Sequence, residues 1–118
     1  MTPHRAATVF RVTRLESALQ QYVEVFGFTE EFRFGDYAGL VRGELRLHLT
    51  GSTLHGQPLG GGAVYGFCDE VDSYYADLQR KGANVKAPPQ DQPYGLRDFI
   101  VTDADGNRLS FGCETPEA

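Results

Sequence analysis

Gln92-Pro93-Tyr94-Gly95-Leu96-Arg97-Asp98-Phe99-Ile100-Val101-Thr102-Asp103-Ala104-Asp105-Gly106-Asn107-Arg108-Leu109-Ser110-Phe111-Gly112 is the stretch on which the reading of this chain turns. Two runs rich in β-branched and aromatic residues, 97–102 and 108–113, flank Asp105-Gly106-Asn107. The segment therefore predicts loop, strand, Asp-Gly turn, strand. The second run alternates, with Arg108, Ser110 and Gly112 on one side and Leu109, Phe111 and Cys113 on the other. Such a strand separates an apolar core from solvent or a wet cavity.

The same logic applies upstream. Residues 44–50 alternate strictly: Leu45, Leu47 and Leu49 face one way, and Glu44, Arg46, His48 and Thr50 the other. Before them, 30–34 and 37–42 read as strands with turns at Gly35-Asp36 and Gly43. A helix precedes these, because Leu15, Leu19, Tyr22, Val23 and Phe26 recur at three- and four-residue spacing and Gly27 ends the run. The apolar stretch from Thr8 to Val12 opens this half. The second half repeats the order: strand 63–69, helix 71–81 stopped by Gly82, then strands 84–87, 97–102 and 108–113. Each half is β-α-β-β-β. The expected fold is α+β, two βαβββ modules forming a curved mixed sheet with a concave cavity and the helices outside. The whole chain, 1–118, reads as one domain, with modules at about 6–50 and 63–113 joined by a glycine-rich linker, 51–62.

Composition narrows the function. Sixteen acidic residues against eleven basic give a formal charge of −5, which argues against nucleic acid, since phosphate contacts need clustered Lys and Arg. No 18-residue apolar run and no secretory segment are present, so a cytoplasmic protein with no membrane partner is expected. Two cysteines, Cys68 and Cys113, make no disulfide framework and are expected as reduced thiols in the core. No Gly-x-Ser-x-Gly elbow, phosphate-cradling glycine loop or Cys-His pair is found. Glu44 and His48 share a strand face but lie about 13 Å apart at strand rise, too far for direct acid-base work.

The paired order, a helix ending in Phe26-Gly27-Phe28, a second ending in Lys81-Gly82-Ala83, and the Asp-Gly hairpin resemble the glyoxalase/bleomycin-resistance/extradiol-dioxygenase superfamily, the vicinal oxygen chelate proteins. Metal-dependent members carry ligands on the first and last strands of each module. The resemblance places these positions at Ala7, His48, Ala63 and Ser110. Three of the four cannot serve, so it implies no metal and no cofactor, with His48 a weak candidate that His4 and His55 would have to assist. Gln92-Pro93-Tyr94-Gly95, Arg97-Asp98-Phe99, Phe32-Arg33, Tyr37 and Arg42-Gly43-Glu44-Leu45 are similar to patterns in the metal-free bleomycin-resistance branch, with Tyr standing where those proteins carry Trp.

That branch implies a non-catalytic homodimer sequestering an aromatic, cationic drug-like molecule in a cleft at the dimer interface. Bleomycin itself has a planar bithiazole and a positive tail, so aromatic walls and carboxylates suit it. The alternative is a glyoxalase-like lyase or dioxygenase of unknown substrate. Tyr65 and Phe67 share the Ala63 face of their strand and are expected in the cavity, while Phe10, Phe28 and Phe111 are expected in the core. The candidate ligand contacts are Phe32, Tyr37, Arg46, His48, Tyr65, Phe67, Tyr94, Arg97, Phe99 and Ser110. Glu30, Glu31, Asp36 and Glu44 are candidate carboxylates for a cation. Residues 88–95 read as a proline-stiffened loop, either a lid carrying Tyr94 or a plain connection.

Overall fold

The computed structural model describes residues 1–53 and 56–115. Its elements run β1 (Thr8–Arg11), α1 (Leu15–Glu24), β2 (Thr29–Phe34), β3 (Tyr37–Arg42), β4 (Leu45–Thr50), β5 (Ala63–Phe67), α2 (Asp72–Arg80), β6 (Asn84–Val85), β7 (Gln90–Asp91), β8 (Leu96–Thr102) and β9 (Arg108–Glu114). Two mixed sheets result, ordered β1-β4-β3-β2 and β5-β9-β8-β6, with β7 also on β8. In each, the first strand pairs in parallel with the last and the others pair antiparallel. The expected curved mixed surface is formed by two sheets, the first from one β-α-β-β-β unit and the second from the same order with the two-residue β7 added.

The helices follow from apolar spacing and glycine. Leu15, Ala18, Leu19 and Tyr22 are the buried stripe of α1, and Gly27 at φ +83° turns the chain out of it. Gly82, at φ +78°, does the same after α2. Beneath the helices lie the inward strand residues. Leu47, Leu49, Phe10 and Leu40 are fully buried in the first unit, and Leu109 and Val101 in the second. Phe10, Phe28 and Phe111 are core, as the sequence predicts. Each such leucine or phenylalanine contributes about 1.5–3 kcal/mol on burial.

Two strand assignments change. The run expected over 84–87 stops at Val85, and Gln90–Asp91, expected within a loop, form β7 against Arg97 and Asp98. Pro88 and Pro89 account for both, since neither has an N–H for the ladder, and pairing resumes once they are passed. Cys113 is core as expected, whereas Cys68 is exposed. β5 ends at Phe67, and the Cys68 thiol sits past the sheet, donating to the Glu70 and Gly112 carbonyls.

The units are joined through polar groups as well as apolar ones. The Asp103–Asn107 turn reaches across to α1 and β1: Tyr22 donates its hydroxyl to Asp103 at 2.8 Å, and Thr13 its hydroxyl to Asp105 at 2.6 Å. Asn107, fully buried, donates to the Arg11 carbonyl and accepts from the Gly62 amide. The hairpin that identifies the sequence therefore also clasps the two halves together.

Candidate functional site

The faces turned away from α1 and α2 carry the functional candidates. In the first unit Gly39 lies opposite His48, and Tyr37 opposite Thr50, which puts Tyr37, Gly39, Arg46 and His48 on one face. A bulge in β2 between Glu30 and Phe32 resets the register so that Phe32 opposes Gly39 and Phe34 opposes Tyr37. Phe32 lies directly on Gly39: a Cβ there would stand 2.0 Å from the Phe32 ring. The ring meets His48 edge-on at 5.3 Å and Tyr37 nearly parallel at 6.4 Å. The Tyr37 hydroxyl and His48 Nδ1 are 2.8 Å apart. Phe34 lies beside Phe32, 77% exposed. Arg46 reaches Glu31 at 2.6 Å. Four expected residues, Phe32, Tyr37, Arg46 and His48, are thereby gathered.

The second unit repeats the device. Tyr65 opposes Ser110 and Phe67 opposes Gly112, with Tyr65 packed diagonally over Gly112, whose added Cβ would meet its hydroxyl at 2.0 Å. Tyr65 and Phe67 rings are 5.1 Å apart, and Phe67 is 78% exposed. At the centre stands Asp98, which the sequence reading leaves out. Its carboxylate accepts from the Tyr65 hydroxyl at 2.9 Å, from Gln92 Nε2 at 3.0 Å, and from the Tyr94 hydroxyl. The Tyr94 expectation places it here, 61% exposed.

Arg97 and Phe99 lie on the other side of β8. Because Asp98 opposes Gly112 and Ile100 opposes Ser110, the odd-numbered residues of β8 face the helix. Phe99 is buried with its ring 5.6 Å from Tyr75, and Arg97 pairs with Asp91 and with Asp72 at the start of α2. Pairing sets the phase: Ser110 and Gly112 lie on the polar face of β9, and the residues opposite them on β8 share that face.

Asp98 marks its two phenols. Burial, then the Asp98 hydrogen bond and charge, push the Tyr65 hydroxyl well above the usual phenol range. For Tyr94 the Asp98 hydrogen bond is the leading cause of the rise. A folded pKa above the unfolded value of about 10 gives stability that is complete below that pH and is lost as pH climbs through the folded value. Asp98→Asn is expected to bring Tyr94 back to ordinary titration while Tyr65, still half-buried, stays raised. Tyrosinate absorbance against pH, compared with the Tyr94→Phe variant, checks this, and an unchanged Tyr94 would refute it.

Among the described residues, no three His, Cys, Asp or Glu side chains come together as a metal would require. Ala7, Ala63 and Ser110 offer no ligand set to accompany His48, so the donor chemistry does not fit a four-ligand divalent ion. His4 is exposed near the N-terminus, and His55 lies outside the described residues. Of the candidate carboxylates, Glu30 and Glu31 are engaged by Arg33 and Arg46. Asp36 lies in the β2–β3 turn, its carboxylate close against Gly51. Glu44 lines a groove of about 830 Å3 that wraps the open edge of β5, between the β3–β4 turn and α2. Tyr65 and Phe67 form its aromatic rim and Asp69, Glu70 and Asp77 its acidic wall. The groove's arginine, Arg42, is held over the Tyr74 ring at 4.6 Å and by the Phe26 and Gly27 carbonyls.

No helix is long and apolar enough to cross a membrane among the described residues. Residues 4–111 match the glyoxalase/bleomycin resistance protein/dioxygenase superfamily. No curated protein matches the sequence. Among solved structures, the antibiotic-binding protein TnmS3 from Streptomyces sp. CB03234 is 24% identical with a TM-score of 0.83, over 97% of this chain and 98% of that one. TioX from Micromonospora sp. ML1 is 25% identical with a TM-score of 0.80, over 96% and 100%. The bleomycin-binding protein of bleomycin-producing Streptomyces verticillus, solved with copper(II)-bleomycin, is 21% identical with a TM-score of 0.76, over 99% of each chain.

Proposed function

Since the chain belongs to the glyoxalase/bleomycin resistance protein/dioxygenase superfamily, a superfamily that supports a ligand-binding role, we propose that it sequesters an aromatic, cationic small molecule without altering it, in a cleft completed by a second copy. One observation carries the reading. Two aromatic clusters, Phe32-Phe34-Tyr37 and Tyr65-Phe67-Tyr94, stand on faces the helices do not cover, with Phe34 77%, Phe67 78% and Tyr94 61% exposed. Large rings left in water on an open sheet suit a stacked ligand and a partner surface. The glycines beneath Phe32 and Tyr65 let those rings lie flat against the sheet, so they are placed before the ligand arrives. The acidic groove beside Tyr65 and Phe67 supports a cationic group on the ligand. The alternative, a glyoxalase-like lyase or dioxygenase, draws only on His48.

Calorimetric titration of metal-free bleomycin at low and moderate salt, with sedimentation to count subunits, tests the proposal. The expected result is one drug per subunit of a dimer, weakening as salt rises. No heat and no thermal stabilisation at roughly 100 μM drug, a level that reveals even weak binding, would remove bleomycin as the ligand. A monomer that binds at full stoichiometry would remove the shared cleft.

A further inference from the structure

A second cavity, of about 300 Å3, lies on the open face of the second unit between β8 and the chain from Asn84 to Gln92. Its charge is the reverse of the acidic groove. Lys86 and Arg108 both line it, and neither joins an ion pair among the described residues. By contrast Arg33, Arg46, Arg80, Lys81 and Arg97 are paired with carboxylates, and Arg11 and Arg42 donate to backbone carbonyls. The cavity's single acid is Asp98, whose oxygens already accept from Gln92, Tyr65 and Tyr94. Two unengaged cations thus share one concave site in a chain that carries −5 overall.

Sheet register arranges further donors around them. Asn84, Thr102 and Arg108 lie in one row across β6, β8 and β9. Asn84 donates its amide to the Thr102 hydroxyl oxygen at 2.6 Å, which leaves the Thr102 O–H to donate to something else. Two residues along β8, about 7 Å away, Ile100 offers an apolar floor that is 47% exposed, next to Ser110 and Tyr65 in its own row. An arginine fork, a lysine point charge and a hydroxyl donor at one end, with an apolar seat beside them, are what a ring bearing an acidic group requires.

We propose that this cavity is an oxyanion subsite, with Arg108 and Lys86 holding a carboxylate attached to an aromatic ring that rests on Ile100. The proposal rests on the binding-cleft reading above and refines it: the ligand is amphoteric, with an acid directed to this cavity and any cation toward the acidic groove.

Three probes with one ring and different charge test it: 2-naphthoate, 2-naphthylmethanol and 2-naphthylmethylammonium, titrated into the full chain and into Lys86→Met/Arg108→Met. In the wild-type protein 2-naphthoate is expected to bind at least about tenfold tighter than the alcohol, the size of a charge-assisted contact, and the ammonium to gain nothing from Lys86 and Arg108. In the double variant the naphthoate advantage disappears while the alcohol binds as before. Both side chains are exposed, so the variant folds, and its unfolding midpoint checks that. Equal binding of all three probes, or a naphthoate preference that survives the substitutions, overturns the subsite and leaves the cleft reading standing. Failure of every probe to bind likewise overturns the subsite, and the bleomycin titration decides the cleft separately.

Discussion

Asn107→Ala is expected to lower the free energy of unfolding by about 3–5 kcal/mol, among the largest losses any single polar substitution here would produce. The side chain is fully buried. Its amide nitrogen donates to the Arg11 carbonyl at 3.0 Å and to Asp103 at 2.9 Å, and its oxygen accepts from the Gly62 amide at 2.9 Å. Those partners belong to the end of β1, the end of the connection between units, and the Asp-Gly turn. Alanine leaves a backbone donor, a backbone acceptor and one carboxylate lone pair short of a partner, each costing about 1–3 kcal/mol when buried, and the terms share a network and do not simply add. Asn107→Asp keeps the acceptor for Gly62 but sets a second carboxylate against Asp103, so it is expected to be no milder. Tyr22→Phe removes one hydrogen bond from the same carboxylate and is expected to cost about 1–2 kcal/mol. Urea unfolding monitored by circular dichroism measures all three, with the midpoint shifted and the slope unchanged. A loss under about 1 kcal/mol for Asn107→Ala would mean that water takes over the three contacts, and that the turn is not the clasp.

Asn107 also shows where the sequence is legible and where it is not. Asp105-Gly106-Asn107 announces a turn through local chemistry alone, because the φ of +98° at Gly106 is a glycine conformation. Its role as a clasp depends on Arg11, 96 residues away, and no local pattern encodes that. The alternation of Leu45, Leu47 and Leu49 is likewise sufficient to divide β4 into a core face and an open face, and Leu47 and Leu49 are buried accordingly. Alternation fails where the phase is ambiguous. Arg97, Asp98, Phe99 and Ile100 offer a charge and an apolar group to either side, so only the pairing of β8 with β9 decides that Asp98 faces the cavity and Phe99 the helix. The bulge in β2 is invisible for the same reason: Glu30 and Glu31 are alike in sequence, and Arg33 and Arg46 separate them by pairing with one each. Cysteine is by type a buried residue, whereas the end of β5 at Phe67 puts Cys68 beyond the core.

Phe34→Ser/Phe67→Ser is expected to leave folding intact and to cut ring binding by about 100-fold. The stability half rests on exposure: at 77% and 78% the two rings leave most of their surface in water in the single chain, and such positions typically change stability by about 0.5 kcal/mol or less. Phe32 is a different case, half-buried over Gly39 and against His48, so its removal would cost stability and binding together and could not separate them. The affinity half follows from area and stacking. Covering an exposed phenylalanine is worth about 1.5–3 kcal/mol, and two rings that are covered only in part still supply together about 2.7 kcal/mol, which is 100-fold. Thermal unfolding of the variant, beside titrations of metal-free bleomycin and of 2-naphthylmethanol, reads the two halves separately. Undiminished binding would show that neither ring touches the ligand and would move the site toward the Tyr65-Asp98-Tyr94 cluster alone. Wild-type protein that is dimeric, with a variant that is monomeric and loses binding as well, would instead assign the rings to the contact between subunits. Ligand affinity that then recovers at high protein concentration, by mass action, would establish that the cleft exists only when two chains meet.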